Sequence, residues 1–204
     1  MKNRYKKLAI LIGVLFVIAI LGAFIYINNK PQTSAEQEVV ISNVDNVVLR
    51  NLEMNYPPTP KEVLKYYSEI TICFYEENLS EEDLVRLAQT ARKLYDDELC
   101  AQMTEEEYIA SLREDILEFN ALGVVVSGYT VSSSTDVEEF VMDGRECARL
   151  YVTYRLRQGT EYIYSNEVFI MRKDEDGHWK IFGWDLLESE EVETLQQEMG
   201  TTEE

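Results

Sequence analysis

Cys147-Ala148-Arg149-Leu150-Tyr151-Val152-Thr153-Tyr154-Arg155-Leu156 alternates without a break. Ala148, Leu150, Val152, Tyr154 and Leu156 fall on one side, and Cys147, Arg149, Tyr151, Thr153 and Arg155 on the other. A period of two marks a strand with one face buried. Gln158-Gly159-Thr160 then turns the chain into Thr160–Lys173, and Asp174–Gly177 turns it again into His178–Trp184. Upstream, Asp143-Gly144 is a turn signal. Val124–Val141 carries β-branched residues interrupted by Ser132-Ser133-Ser134, which fits one long bent strand or two short ones. Strands joined by turns this short form an antiparallel sheet.

Before the strands come three helices, each announced by the same device. Thr59-Pro60-Lys61-Glu62, Ser80-Glu81-Glu82-Asp83 and Thr104-Glu105-Glu106-Glu107 each set a hydroxyl N-cap with an acidic residue three positions on. The apolar stripes are Val63, Tyr67, Ile70, Phe74, then Leu84, Leu87, Ala91, Leu94, then Ile109, Leu112, Ile116, Phe119. Their i, i+3, i+4 and i+7 spacing lays one face of each helix on a core. Gly123 is placed to end the third. Helices first and an antiparallel meander afterwards, with no βαβ rhythm, predict an α+β domain: three N-terminal helices packed on a curved antiparallel sheet.

Farther upstream, Leu8–Ile27 is an unbroken apolar run of 20 residues. As a helix it spans about 30 Å, the thickness of a bilayer's hydrocarbon. Tyr5 and Tyr26 bracket it, and Lys2, Arg4, Lys6 and Lys7 precede it. The positive-inside bias then leaves residues 1–7 in the cytoplasm and everything after Asn28 outside the cell membrane. A cleaved signal peptide fits less well: the run is too long, and Leu21 would stand three residues before the best cleavage point, after Ala23. Residues 28–55 read as a linker, within which Val39–Leu52 forms a short strand or lies on the domain. The domain proper covers 56–187, and 188–204 is a short helix, carrying Val192, Leu195 and Met199, with an acidic tail.

This order of elements resembles the nuclear-transport-factor-2-like (cystatin-like) α+β roll, in which N-terminal helices fill the hollow of a bent sheet. Val137, Asp143-Gly144, Ala148 and Val152-Thr153-Tyr154, closed by Lys173-Asp174-Glu175-Asp176-Gly177-His178-Trp179-Lys180-Ile181, carry the likeness. Tyr56-Pro57-Pro58-Thr59-Pro60, Asp97-Glu98-Leu99 and Asp143-Gly144-Arg145-Glu146-Cys147-Ala148 are also similar to a family of uncharacterised membrane-anchored extracytoplasmic proteins of Gram-positive anaerobes. The resemblance implies architecture and location. It implies no activity, since this roll hosts isomerases, dehydratases, transport factors and inert assembly modules.

Composition narrows the chemistry. The net charge of −19 conceals an asymmetry: residues 1–30 hold five basic and no acidic residues, so the remainder carries 14 basic against 38 acidic, a net of −24. Such a domain repels nucleic-acid phosphates. Three cysteines, Cys73, Cys100 and Cys147, make no disulfide framework; free thiols are expected, with one Cys73–Cys100 bridge left open. His178 is the single histidine and sits beside a turn, and no G-x-S-x-G elbow exists. If Asp174-Glu175-Asp176-Gly177 were an EF-hand loop with Gly177 at its sixth position, Arg172 and Gly183 would occupy its first and twelfth, and neither can ligate there as that loop requires. Asn78-Leu79-Ser80 matches a glycosylation acceptor, but Ser80 is better used as a helix cap. No catalytic, metal or cofactor-binding residue is assigned, and no cofactor is expected.

Two surfaces remain. With Gln158-Gly159-Thr160 as a three-residue loop, Leu150 faces Val168, Val152 faces Asn166 and Tyr154 faces Tyr164, and Tyr154, Tyr162, Tyr164 and Asn166 line a candidate pocket. With Asp174–Gly177 as a four-residue turn, Ile170 meets Ile181 inside and Phe169 meets Phe182 outside. The outer face then presents Arg149, Tyr151, Arg155, Phe169, Phe182 and Trp184, an aromatic and arginine patch of the kind enriched at interfaces. Three readings of the patch are open: the C-terminal segment folds back so that Leu186, Val192 and Leu195 cover it, a protein partner or a second copy covers it, or the register is wrong and Phe169 and Phe182 point into the helix-filled hollow. The expected function is a non-enzymatic protein-interaction or envelope-assembly module, tethered to the membrane through Leu8–Ile27. The alternative is a roll that binds a small molecule in its cone.

Overall fold

The computed structural model describes residues 44–76 and 79–187. The membrane helix expected over Leu8–Ile27 and the short helix expected in 188–204 lie outside them. Among the described residues, no helix is long and apolar enough to cross a membrane.

Five helices lead. Helix α1 (Val44–Val48) is a short piece in the stretch read as linker, and its Val47 is fully buried. The Tyr66 hydroxyl donates to the Val47 carbonyl at 2.8 Å, so this segment is built into the core. Helix α2 (Pro60–Phe74) starts where expected: Thr59 Oγ1 accepts from the Glu62 N–H at 3.2 Å and Pro60 occupies the first turn. Helix α3 (Glu81–Arg92) is capped by Ser80, and α4 (Asp97–Cys100) by Asp96. Helix α5 (Glu105–Ala121) has the full reciprocal box, Glu107 N–H to Thr104 Oγ1 at 3.2 Å and Thr104 N–H to Glu107 Oε2 at 3.0 Å. It ends on Gly123, whose φ of +65° is the left-handed geometry a helix exit requires. The stripes of α3 and α5 are one-sided. Helix α2 is not: Leu64, Tyr66, Ile72 and Cys73 are buried beside its predicted stripe, because it is packed on several sides.

The five described strands pair antiparallel throughout, and Tyr95 adds one isolated parallel bridge to Ile181. Strands β1 (Val124–Val131) and β2 (Glu138–Met142) pair in turn along one edge of β3 (Arg145–Gln158), so Val124–Val141 is two strands broken at the serines. Strand β4 (Glu161–Lys173) lies on the other edge of β3, and β5 (Trp179–Leu186) beyond it. Asp143-Gly144 is a two-residue hairpin loop with φ of +52° and +77°, the pattern of a type I′ turn. Beside β5, the Asp96 N–H donates to the Ile181 carbonyl and the Ile181 N–H to the Leu94 carbonyl, both at 2.8 Å, which partly covers that edge.

The expected register is corrected by one residue at both later hairpins. Gln158 pairs with Glu161, so the loop is Gly159-Thr160, two residues with glycine first. Leu150 therefore pairs with Phe169, Val152 with Glu167 and Tyr154 with Ser165. A slip of one reverses every side chain of a strand. Lys173 pairs with Trp179, five residues separating them, and Met171 with Ile181. The register then shifts between Ile170 and Met171, leaving Phe182 as the extra residue of a bulge. Beyond it, Trp184 returns to the inner side opposite Phe169. Phe169 and Ile181 are fully buried against the helices, together with Leu150, Leu87 and Phe119.

One ion pair is buried with the sheet. Arg172, 3% exposed like Asp96, donates from Nε to Asp96 Oδ2 at 3.0 Å, again to Asp96 Oδ1, and to Glu98 Oε1 at 2.9 Å. The Phe182 ring lies 4.1 Å from the same guanidinium carbon. This fastens the α3–α4 connection to β4. Desolvation lifts the Asp96 carboxyl, but hydrogen bonds from Arg172 and the Glu98 N–H outweigh it and hold it below its ordinary range.

Candidate functional site

The one-residue correction turns Glu167 inward. It lies opposite Val152 on β3 and Leu186 on β5, with Phe169 the next residue on the same face of β4. Glu167 is 5% exposed, and its carboxyl takes no hydrogen bond and no ion pair among the described residues. Burial alone pushes it up to about 8, so at neutral pH it holds its proton. Buried polar side chains nearly always have a partner, and an exception calls for a reason.

Phenol groups surround it. Tyr154 is 3% exposed, and its hydroxyl lies 3.2 Å from the hydroxyl of the fully buried Ser68. The Tyr67, Tyr95 and Tyr108 hydroxyls form a chain, with steps of 3.1 Å and 3.0 Å. Burial raises the Tyr67, Tyr75 and Tyr154 phenols well above their ordinary value, and a charge on Glu167 raises all three further. Tyr108 is pushed up to about 12, first by burial. A second carboxyl, Asp115 on α5, is lifted to about 6 by burial and then by Glu118 and Glu114, and its charge bears on Tyr75 and Tyr108. Five phenols, brought in by α2, α5, β3 and the α3–α4 connection, thus share this region with one carboxyl that holds its proton at neutral pH, Glu167, and one that is largely ionised there, Asp115.

Aromatic rings form the wall on the β5 side. Trp184 stacks on Phe169 with ring centres 6.0 Å apart and lies 6.0 Å from Tyr67 and 5.7 Å from Tyr95. Tyr67 meets Phe169 edge-on at 5.8 Å. The arrangement offers a carboxyl acceptor, phenol oxygens that both donate and accept, and ring faces. Such sites orient a bound molecule by a few polar groups set in an apolar wall.

The residues singled out from sequence divide between the two faces. Of the pocket set, Tyr154 is inside. Tyr162 and Tyr164 are 50% and 39% exposed on the outer face, and Asn166 there accepts from the Thr153 hydroxyl at 2.7 Å. Of the patch set, Phe169 and Trp184 are inside. Arg149, Tyr151, Arg155 and Phe182 keep to the outer face. Arg149 pairs with Glu138 at 2.8 Å, and Arg155 donates to the Ser127 hydroxyl at 3.3 Å and lies over the Tyr162 ring at 5.4 Å. Glu167 and Asp115 were not singled out. A two-residue reading of Gly159-Thr160 would have found Glu167; nothing in the sequence marks Asp115 out from the other acids of α5.

Other chemistry-bearing side chains are structural. Cys73, Cys100 and Cys147 form no disulfide among the described residues. Asp174, Asp176 and His178 lie close enough to face one cation, but the Asp174 carboxylate accepts the Asp176 and His178 N–H groups at 3.0 Å and 2.8 Å and so closes the turn. The His178 ring packs on Tyr56 at 4.5 Å.

Residues 1–184 match the model of one protein family, described as Domain of unknown function (DUF6715). No curated protein matches the chain.

Proposed function

We propose, for a chain that belongs to the DUF6715 family, that the domain is a membrane-tethered, extracytoplasmic roll of nuclear-transport-factor-2-like type that binds a small molecule at Glu167 without transforming it. The observation that carries this reading is the buried carboxyl with no partner among the described residues, set near phenols inside the helix–sheet interior. A purely structural core gains nothing from it, because an unsatisfied buried polar group costs about 1–3 kcal/mol. Binding without chemistry fits the surroundings. The phenols are raised and hold their protons, the Cys100 and Cys147 thiols are raised by burial, and the one imidazole packs at the surface turn. The apolar run Leu8–Ile27 and the basic residues before it support tethering with the domain outside.

The test is a thermal-shift screen of the full chain in detergent against a panel of small water-soluble molecules, beside Glu167→Leu. Compounds that raise the melting temperature of the native chain and lose that effect in the variant are expected. Equal shifts in both chains, or none in the native one, contradict the reading.

The second reading is a protein-interaction module. It is favoured by the outer face of the sheet, where Tyr162 and Tyr164 remain exposed beside Arg155 and Arg157.

A further inference from the structure

We infer that the interior site selects a small organic cation, a primary ammonium attached to a compact apolar body, with Glu167 as its counter-ion and the rings of Tyr67, Phe169 and Trp184 as its wall. The inference rests on the proposed binding function and narrows it to one chemical class.

Three observations point to a cation. Among the described residues, Glu167 has no cationic partner, whereas Asp96, the other buried acid, is fully engaged by Arg172. An arriving ammonium would supply the missing charge and donate hydrogen bonds to the carboxylate. The rings beside it have their centres about 6 Å apart (Tyr67 to Trp184 and Phe169 to Trp184 both at 6.0 Å), and aromatic faces attract cations electrostatically. The surroundings disfavour the opposite charge: Asp115, whose charge bears on Tyr75 and Tyr108, is itself anionic near neutral pH, and the chain after residue 30 carries a net −24. A primary ammonium suits the site better than a quaternary one. Its three N–H groups match a carboxylate and phenol oxygens, all of which accept.

Among the described residues, access is by the C-terminal end of β5, beyond the stretch that Leu94 and Asp96 cover. Leu186 stands directly opposite Glu167 and Trp184 one inward position before it, and both are only half-buried. On binding, Glu167 gives up its proton to solvent as the ammonium takes its place, so one proton leaves for each cation bound near neutral pH. No covalent bond changes.

Benzylamine, benzyl alcohol and benzoate share one shape and differ in charge, which makes them the probes. Each is titrated into the full chain in detergent at pH 7 by calorimetry, in two buffers of different ionisation enthalpy. Benzylamine is expected to bind most tightly with release of close to one proton, and benzoate not to bind. In Glu167→Gln, benzylamine should weaken by roughly ten- to a hundredfold, the worth of a hydrogen bond to a charged group, while benzyl alcohol changes little. If benzyl alcohol binds the native chain as tightly as benzylamine, or benzylamine binds without proton release, the cation inference falls and the binding function stands. If none of the three binds, both fall. A Glu167→Asp chain, which keeps the charge, guards against a folding defect: it should retain a preference for the amine, and losing that preference while still folded would also overturn the inference.

Discussion

Glu167→Gln should stabilise the protein, and by more as the pH rises. In the native state Glu167 keeps its proton up to about 8, against an ordinary value of 4.5. Between those values the native chain therefore binds more protons than the unfolded one, and stability falls as pH increases across that window. Below it the two states are equally protonated at this site and the loss is absent; above it the loss is complete. The shift corresponds to about 3–5 kcal/mol once fully expressed. Glutamine keeps the shape and removes the ionisation, so the variant and the native chain should unfold alike at pH 4 and diverge by about that amount at pH 9. Denaturant unfolding at a series of pH values measures it. Parallel curves for the two chains would mean that Glu167 is solvated. Asp115, lifted to about 6, gives the native curve a slope of the same sign, which is why the difference between chains carries the information.

The other large effect is at the buried ion pair. Arg172→Met retains most of the apolar stem and leaves Asp96 buried with its charge uncompensated. Removing one partner of such a pair typically costs about 3–5 kcal/mol. For a domain of this size the melting temperature should drop by roughly 10–20 °C. Adding Asp96→Asn removes the stranded charge yet preserves a cap for the Glu98 N–H, so the double variant should recover a large part of the loss. A single variant that melts within a degree or two of the native chain would show that the pair is solvated. The pH sense is opposite to that of Glu167. The Asp96 carboxyl is held low, so its contribution is present above its unfolded range and lost as pH falls through the depressed folded range. The two sites press on stability from opposite sides of the pH scale.

Helices α2, α3 and α5 and strand β3 were legible in the sequence because single local signals settled them. Thr59, Ser80 and Thr104 act as N-caps where their spacing from Glu62, Asp83 and Glu107 says they should. Ala148, Leu150, Val152, Tyr154 and Leu156 are all buried, as their alternation requires. Strand β4 offered no such signal. Its true inner set is Ile163, Ser165, Glu167, Phe169 and Met171, and the rival set is Tyr162, Tyr164, Asn166, Val168 and Ile170. The rival set is no less apolar, and it contains no charge, so hydrophobic patterning prefers the wrong face. The residue that misleads the pattern, Glu167, is the one that marks the candidate site. Binding groups break the local rules of folding, and a sequence read by those rules passes over them. The bulge at Phe182 was hidden for a related reason. It reverses β5 halfway, so that Ile181 and Trp184 share a face although they are three residues apart. The short helix Val44–Val48 escaped because five residues are too few for a period, and tertiary contact through Val47 and Tyr66 holds it in place.

The placement of Glu167 inside the helix–sheet interior can be measured without any ligand. The side-chain carboxyl carbon of Glu167, assigned by comparison with Glu167→Gln, is followed by carbon-13 NMR as the full chain is titrated in detergent. A midpoint near 8 is expected, well removed from the exposed glutamates. A midpoint at the ordinary 4.5 would put the carboxyl in water, and with it would go the corrected register of β4, the interior site and the function proposed for it.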